Sequence, residues 1–333
     1  SGPTALMHIN WDNAFTGNAT LQATGQNGCG NSISSPQFSI KVDYKPNVTY
    51  SDCGDLATTK NARPVLLKGG SPVGTGGIYT GTGVALLSPG VYAFDPATSS
   101  IIGSTGGTSY TITYRYTNVN NCFREATRVI RVYPSNAGQP CPGNLTDVRD
   151  GNTYQTFPGG IGFTAKCWMS ENLRYGTFTD AAMPQTDNCL VEKYCAGNSA
   201  AQCPVSGGYY QWQELMNYQE AESAQGICPP GWHVPSQQDW TDLENLYLGP
   251  GISGGSMKDM FSAAGFHGLL SGIYYLNNSW KYSAGSNTGA MFWSSTTGLP
   301  GTVMAAGINS YNPSTSLYTS SKGNAFQVRC VRD

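Results

Sequence analysis

A chain of 333 residues is long enough for two or three domains with their own cores. Only 11% of residues are charged, and 18 basic against 20 acidic residues leave a formal charge of -2, so nothing draws the chain to a phosphate backbone and nucleic acid is excluded as an expected partner. The hydrophobic share of 39%, with 42 glycines and 20 tyrosines, argues against disorder and for short strands joined by Gly, Ser, Thr and Asn turns.

No apolar run is long enough to enter a bilayer, and no basic then apolar leader opens at Ser1, so the chain reads as a mature protein or a piece of one. Ten cysteines without a single C-x-x-C pair speak against zinc and thioredoxin-like redox work and for disulfides in an exported protein. No cofactor is expected.

Residues 1–44 read as the C-terminal part of a β domain. Thr20 to Thr24 is a strand candidate, a Gly and Asn turn carries Cys29, and Phe38, Ile40, Val42 and Tyr44 alternate with polar residues, the period-two mark of a strand buried on one face. Residues 45–134 repeat that order at full length. Tyr110, Ile112, Tyr114 and Tyr116 alternate with Thr and Arg, a turn holds Asn120, Asn121 and Cys122, and a closing strand runs through Ile130 and Val132. Both units resemble the immunoglobulin-like or PKD-like spacers of bacterial surface proteins. A link from an early to a late strand staples such a sandwich, so Cys53 is expected to pair with Cys122, and Cys29 to want a partner lying before Ser1, as in a piece of a longer chain.

Residues 135–333 begin with a short polar linker ending at Pro140. A proline corner, Cys228 to Pro235, then precedes a helix. Ser236 is a good N-cap, Asp239 can return the capping-box contact, and Trp240, Leu243, Leu246 and Tyr247 fall on one face. Five further motifs keep it company in one order: Asp147 to Tyr154, Cys167 to Leu173, Gly207 to Trp212, Phe292 to Thr296, and the terminal Val328 to Asp333. Together they resemble the Fibrobacter succinogenes major paralogous domain, a bacterial surface module with a C-type-lectin-like fold. The fold class expected is therefore mainly β: tandem immunoglobulin-like β-sandwich units followed by an α+β C-type-lectin-like domain.

That resemblance implies a first helix around Tyr210, Trp212, Leu215 and Met216, a local Cys195–Cys203 disulfide, and an outer Cys228–Cys330 disulfide. Closing a loop of about 100 residues is worth on the order of 4.7 kcal/mol in the chain-entropy model. Cys141, Cys167 and Cys189 remain unassigned. The fold also resembles formylglycine-generating enzymes, but a disulfide at Cys330 would consume the thiol their copper chemistry needs, so enzymatic activity is a distant alternative. The Gly251 to Gly255 string matches G-x-S-x-G around Ser253 but sits in a glycine-rich loop rather than between strand and helix. The Glu-Pro-Asn and Trp-Asn-Asp triplets of calcium lectins do not occur, and Asp239, Asp242 and Glu244 read as a solvated helix face, so no metal is expected.

What remains is recognition by neutral polar and aromatic loops. Tyr274, Tyr275, Trp280 and Tyr282 lie beside Asn277 and Asn278, and Tyr311 and Tyr318 lie in a second Asn- and Ser-rich stretch. Such residues give contact area and hydrogen bonds at modest entropic cost, and these six are the candidate ligand-binding residues. The expected protein is a bacterial cell-surface adhesin or surface-fibre component. Its partners would be other surface or outer-membrane proteins, with direct, calcium-independent glycan binding as the alternative.

Overall fold

In the computed structural model, the residues described are 8–12, 15–51, 53, 57–100, 106–136, 139–159, 166–247, 257, 265–275, 279–280 and 289–332. The chain is mainly β. Gly17–Leu21 pairs antiparallel with Phe38–Val42, Gly17 opposite Val42 and Leu21 opposite Phe38. The alternation is present, but the one-sided burial expected of it is partial, with Ile40 and Val42 half-buried. Phe38 and Tyr44 stay about two-thirds exposed, because a two-stranded sheet has no second layer to cover a face.

Between residues 57 and 133, two sheets share one core. Ala57–Thr59, Phe123–Tyr133, Thr108–Thr117 and Gly77–Thr80 form one, in that spatial order; Val84–Ser88, Val91–Phe94 and Val65–Leu67 form the other. Phe94, Ile112, Tyr114, Ile130 and Val132 fill the space between them, with Tyr79 packed 4.7 Å from Tyr114 ring to ring. Thr117 faces Phe123 across the long hairpin, and Asn118 Oδ1 accepts from the N–H groups of Asn120 and Cys122 to hold its turn.

Here the expected Cys53–Cys122 bond fails. Cys53 is bonded to Cys189, and Cys122 is a free thiol. The register explains why. Phe123–Tyr133 meets the segment after Cys53 only at its far end, Arg131 opposite Ala57. At about 3.3 Å per residue some 30 Å of strand separates Cys122 from Arg131. The chain from Cys53 to Ala57 can reach back at most about 14 Å, and a disulfide tolerates only about 7 Å between Cα atoms. Cys29 is likewise free and exposed.

The remainder is built on three larger sheets, beside the two-stranded parallel pair Thr177–Phe178 and Glu192–Lys193. Asn144–Thr146, Thr153–Gly159, Lys166–Met169 and Val331–Arg332 make one; Tyr210–Gln211, Ala325–Phe326, Tyr274–Tyr275 and Ser279–Trp280 a second; Gly289–Thr297, Thr302–Asn309 and Ser316–Ser321 a third. The helix Gln237–Leu246 packs against the third sheet. Ser236 Oγ accepts from Asp239 N–H at 3.1 Å while the Asp239 carboxylate accepts from Ser236 N–H at 2.7 Å, the reciprocal cap the sequence asks for. Trp240 and Leu243 are buried, with Trp240 4.9 Å from Trp168. The solvated face is not as expected: Asp242 is exposed, but Asp239 and Glu244 are buried. Asp239 is held inside by Ser236, Lys166 and His233, which is how an interior carboxylate stays charged. The first helix is a single turn, Trp212–Leu215.

The sequence motifs turn out to be a buried polar frame. Asp147 is fully buried and takes two hydrogen bonds from the Arg149 guanidinium, at 2.8 and 2.7 Å; Arg149 also reaches the carbonyl of Ile227 and lies 3.8 Å over the Tyr175 ring. Arg329 is buried too. It donates to Asn172 Oδ1 at 2.8 Å, to the Phe266 carbonyl and to the His267 carbonyl, over the Phe266 ring. Cys195–Cys203 and Cys228–Cys330 are both bonded, the latter with Cα atoms 5.8 Å apart, and Cys141 pairs with Cys167. Among the described residues no helix is long and apolar enough to cross a membrane.

Candidate functional site

The third sheet carries a cavity of about 730 Å³, open to solvent. Its floor is apolar. Ile273, Met291 and Phe326 line it, with the Phe326 ring tilted against the buried Trp293, 4.2 Å between centroids. Gly307 has a specific part: a Cβ there would meet Met291 Sδ at 2.7 Å and Tyr318 Cε2 at 2.8 Å, so the missing side chain lets the Tyr318 ring lie down beside the floor. Register makes this possible, since Gly307 sits opposite Met291 on one side and Tyr318 faces the adjacent Ala305 on the other.

The rim is neutral and polar. Asn309 Oδ1 accepts from the N–H groups of Tyr311 and Asn312 at 3.0 and 2.9 Å, bending the chain so that Tyr311 stands at the mouth, 82% exposed. Asn324 donates to Ser320 Oγ at 2.9 Å from the opposite side, and Tyr318 is 45% exposed. No charged residue lines the cavity among the described residues. Chemically this is an aromatic and hydroxyl-rich surface that can stack and hydrogen-bond but has no charge to offer an ionic ligand. Among the described residues no group of three His, Cys, Asp or Glu side chains is placed to hold a metal ion.

The six residues singled out from sequence separate here. Tyr311 and Tyr318 come together at this groove. Tyr274 does not: it is buried, its ring 5.3 Å from Tyr194 and its hydroxyl donating to the Ala181 carbonyl at 2.5 Å, so it is a core residue. A tyrosine with an apolar face and one reachable acceptor is as good a core residue as a surface one, which sequence alone does not resolve. Tyr275 and Trp280 belong to a paired strand, Tyr275 opposite Ser279 and Tyr274 opposite Trp280. Tyr282, like Ser253, lies outside the described residues. Asn309, Asn324 and Gly307 were missed, for only the register places them round one opening.

The fold and its sulfur chemistry thus define a mainly β protein with four disulfides, the mark of an oxidising compartment. Residues 161–332, just over half of the chain, match the Fibrobacter succinogenes major domain, and the chain belongs to that family. No curated protein matches it.

Proposed function

We propose that the protein is a bacterial cell-surface adhesin or surface-fibre component, in which immunoglobulin-like β units form a stalk and the C-type-lectin-like domain at its end recognises its partner without a metal. The observation that carries this reading is the uncharged groove under Tyr311 and Tyr318, large enough for a chain segment or a short oligosaccharide. Exposed tyrosine beside amide and hydroxyl groups supplies contact area with few torsions to freeze. The favoured partner is another surface or outer-membrane protein. The second reading, direct glycan binding, is favoured by the same neutral rim, since aromatic faces and amides suit uncharged sugar rings as well.

A glycan array and a pull-down from outer-membrane extract, both in chelator, separate the two. A stable protein partner with no glycan signal supports surface assembly. Glycan binding that survives chelator and is lost in Tyr311→Ala and Tyr318→Ala supports the lectin. Binding unchanged in both variants removes the groove from the account.

A further inference from the structure

A second cavity, about 160 Å³, lies where the β unit meets the family domain. It has room for roughly five water molecules at about 30 Å³ each, or for one small polar group. Thr59, Asn61 and Arg63 reach it from the β unit, and Lys166, Trp232 and His233 from the other side. The chemistry of that lining is one-sided. Arg63 has no acidic partner among the described residues. The Thr59 hydroxyl is buried and makes no hydrogen bond, although Thr59 itself is only 3% exposed. Trp232, equally buried as a residue, lines the opposite wall.

Asp239, the carboxylate that Lys166 and His233 contact, is also engaged by Ser236. The lining thus carries two cationic side chains, Arg63 and Lys166, beside a buried hydroxyl that meets no partner. A buried donor without a partner is costly, so such a site is poised for a ligand that brings acceptors.

We propose that this cavity binds an oxyanion, a carboxylate or a sulfate or phosphate group, between Arg63, the Thr59 hydroxyl and the Trp232 N–H, with Lys166 and His233 behind. The anion bridges the two parts of the chain, giving Arg63 and the Thr59 hydroxyl a shared partner.

Titrations of the full chain with sodium acetate, sulfate and phosphate, each against sodium chloride at matched ionic strength, test this by calorimetry and thermal unfolding. The expected result is saturable binding of an oxyanion and a rise in Tm beyond the chloride control. In Arg63→Gln, an exposed change that leaves the fold intact, the affinity falls by about tenfold or more, as loss of one charge-assisted contact implies. Thr59→Val, which keeps the shape and removes the hydroxyl, weakens binding in the same direction. Acetate ahead of sulfate and phosphate assigns a carboxylate source; the reverse assigns a sulfate or phosphate ester. An equal Tm rise in wild type, Arg63→Gln and Thr59→Val is the bulk effect of an excluded salt and overturns the proposal, as does no response beyond chloride.

Discussion

Glu214 shows how a single side chain ties the fold to pH. It is buried at the start of the one-turn helix, accepting from the Glu192 N–H at 2.8 Å and from the Tyr218 hydroxyl at 2.7 Å. Burial pushes it up to about 7, aided by the Glu192 carboxylate and opposed by those two hydrogen bonds and by Lys68. In the unfolded chain a glutamate titrates near about 4.3. Between those values the folded protein holds a proton that the unfolded chain has lost, so stability falls as pH rises from about 4 to 7. Glu214→Gln keeps the acceptor and removes the charge. Urea midpoints measured from pH 4.5 to 7.5 are expected to fall for the wild type and to flatten for the variant; parallel curves would remove Glu214 from the explanation. The Arg329 and Asp147 networks are more demanding still, because each removes a charge from water, Asp147 onto the Arg149 guanidinium and Arg329 onto three neutral oxygens.

At the scale of elements, the helix Gln237–Leu246 was readable from its residues down to the cap, because an N-cap, a capping box and a 3.6-residue stripe are local signals. Ser236→Ala is expected to cost about 1 kcal/mol and Trp240→Ala about 3–5 kcal/mol, the latter by opening a cavity against Trp168 and Phe292. Chemical denaturation checks both, and a Trp240→Ala loss near that of Ser236→Ala would mean the helix is not a core element. The long hairpin Thr108–Thr117 and Phe123–Tyr133 was equally legible from alternation. What was not legible depends on placement. Asp239 and Glu244 look like surface charges in a helical wheel, and it is Lys166, arriving from a distant strand, together with His233 of the corner before the helix, that makes burial of Asp239 tolerable. The groove beneath Tyr318 is another such case, since its lining is assembled from five separate stretches of chain.

Across the whole molecule, the disulfide between Cys53 and Cys189 joins the β unit to the family domain. It is not alone at that seam. Lys68 pairs with Asp187 at 2.5 Å and lies 4.7 Å over the Tyr218 ring, Thr58 Oγ1 donates to Gln225 Oε1 at 3.0 Å, and Asn136 Nδ2 reaches the Gly231 carbonyl. The sandwich logic of an early-to-late staple misassigned Cys53 because it considered one unit at a time. Mass spectrometry of a non-reduced digest is expected to recover Cys53 and Cys189 in one linked pair of peptides with Cys122 alkylated; a Cys53–Cys122 peptide would contradict the seam. In Cys53→Ser the chain between residues 134 and 140 is expected to be cut faster by added protease, since only weak polar contacts then restrain it.

The most direct test of the recognition account is equilibrium binding of the wild type and the Tyr311→Ala, Tyr318→Ala double variant to immobilised outer-membrane extract, with calcium and with chelator. The account predicts equal wild-type binding in both buffers and a loss of about tenfold or more in the double variant, of the size that truncating central interface aromatics brings. Binding that collapses in chelator, or that survives truncation of both tyrosines, would contradict it.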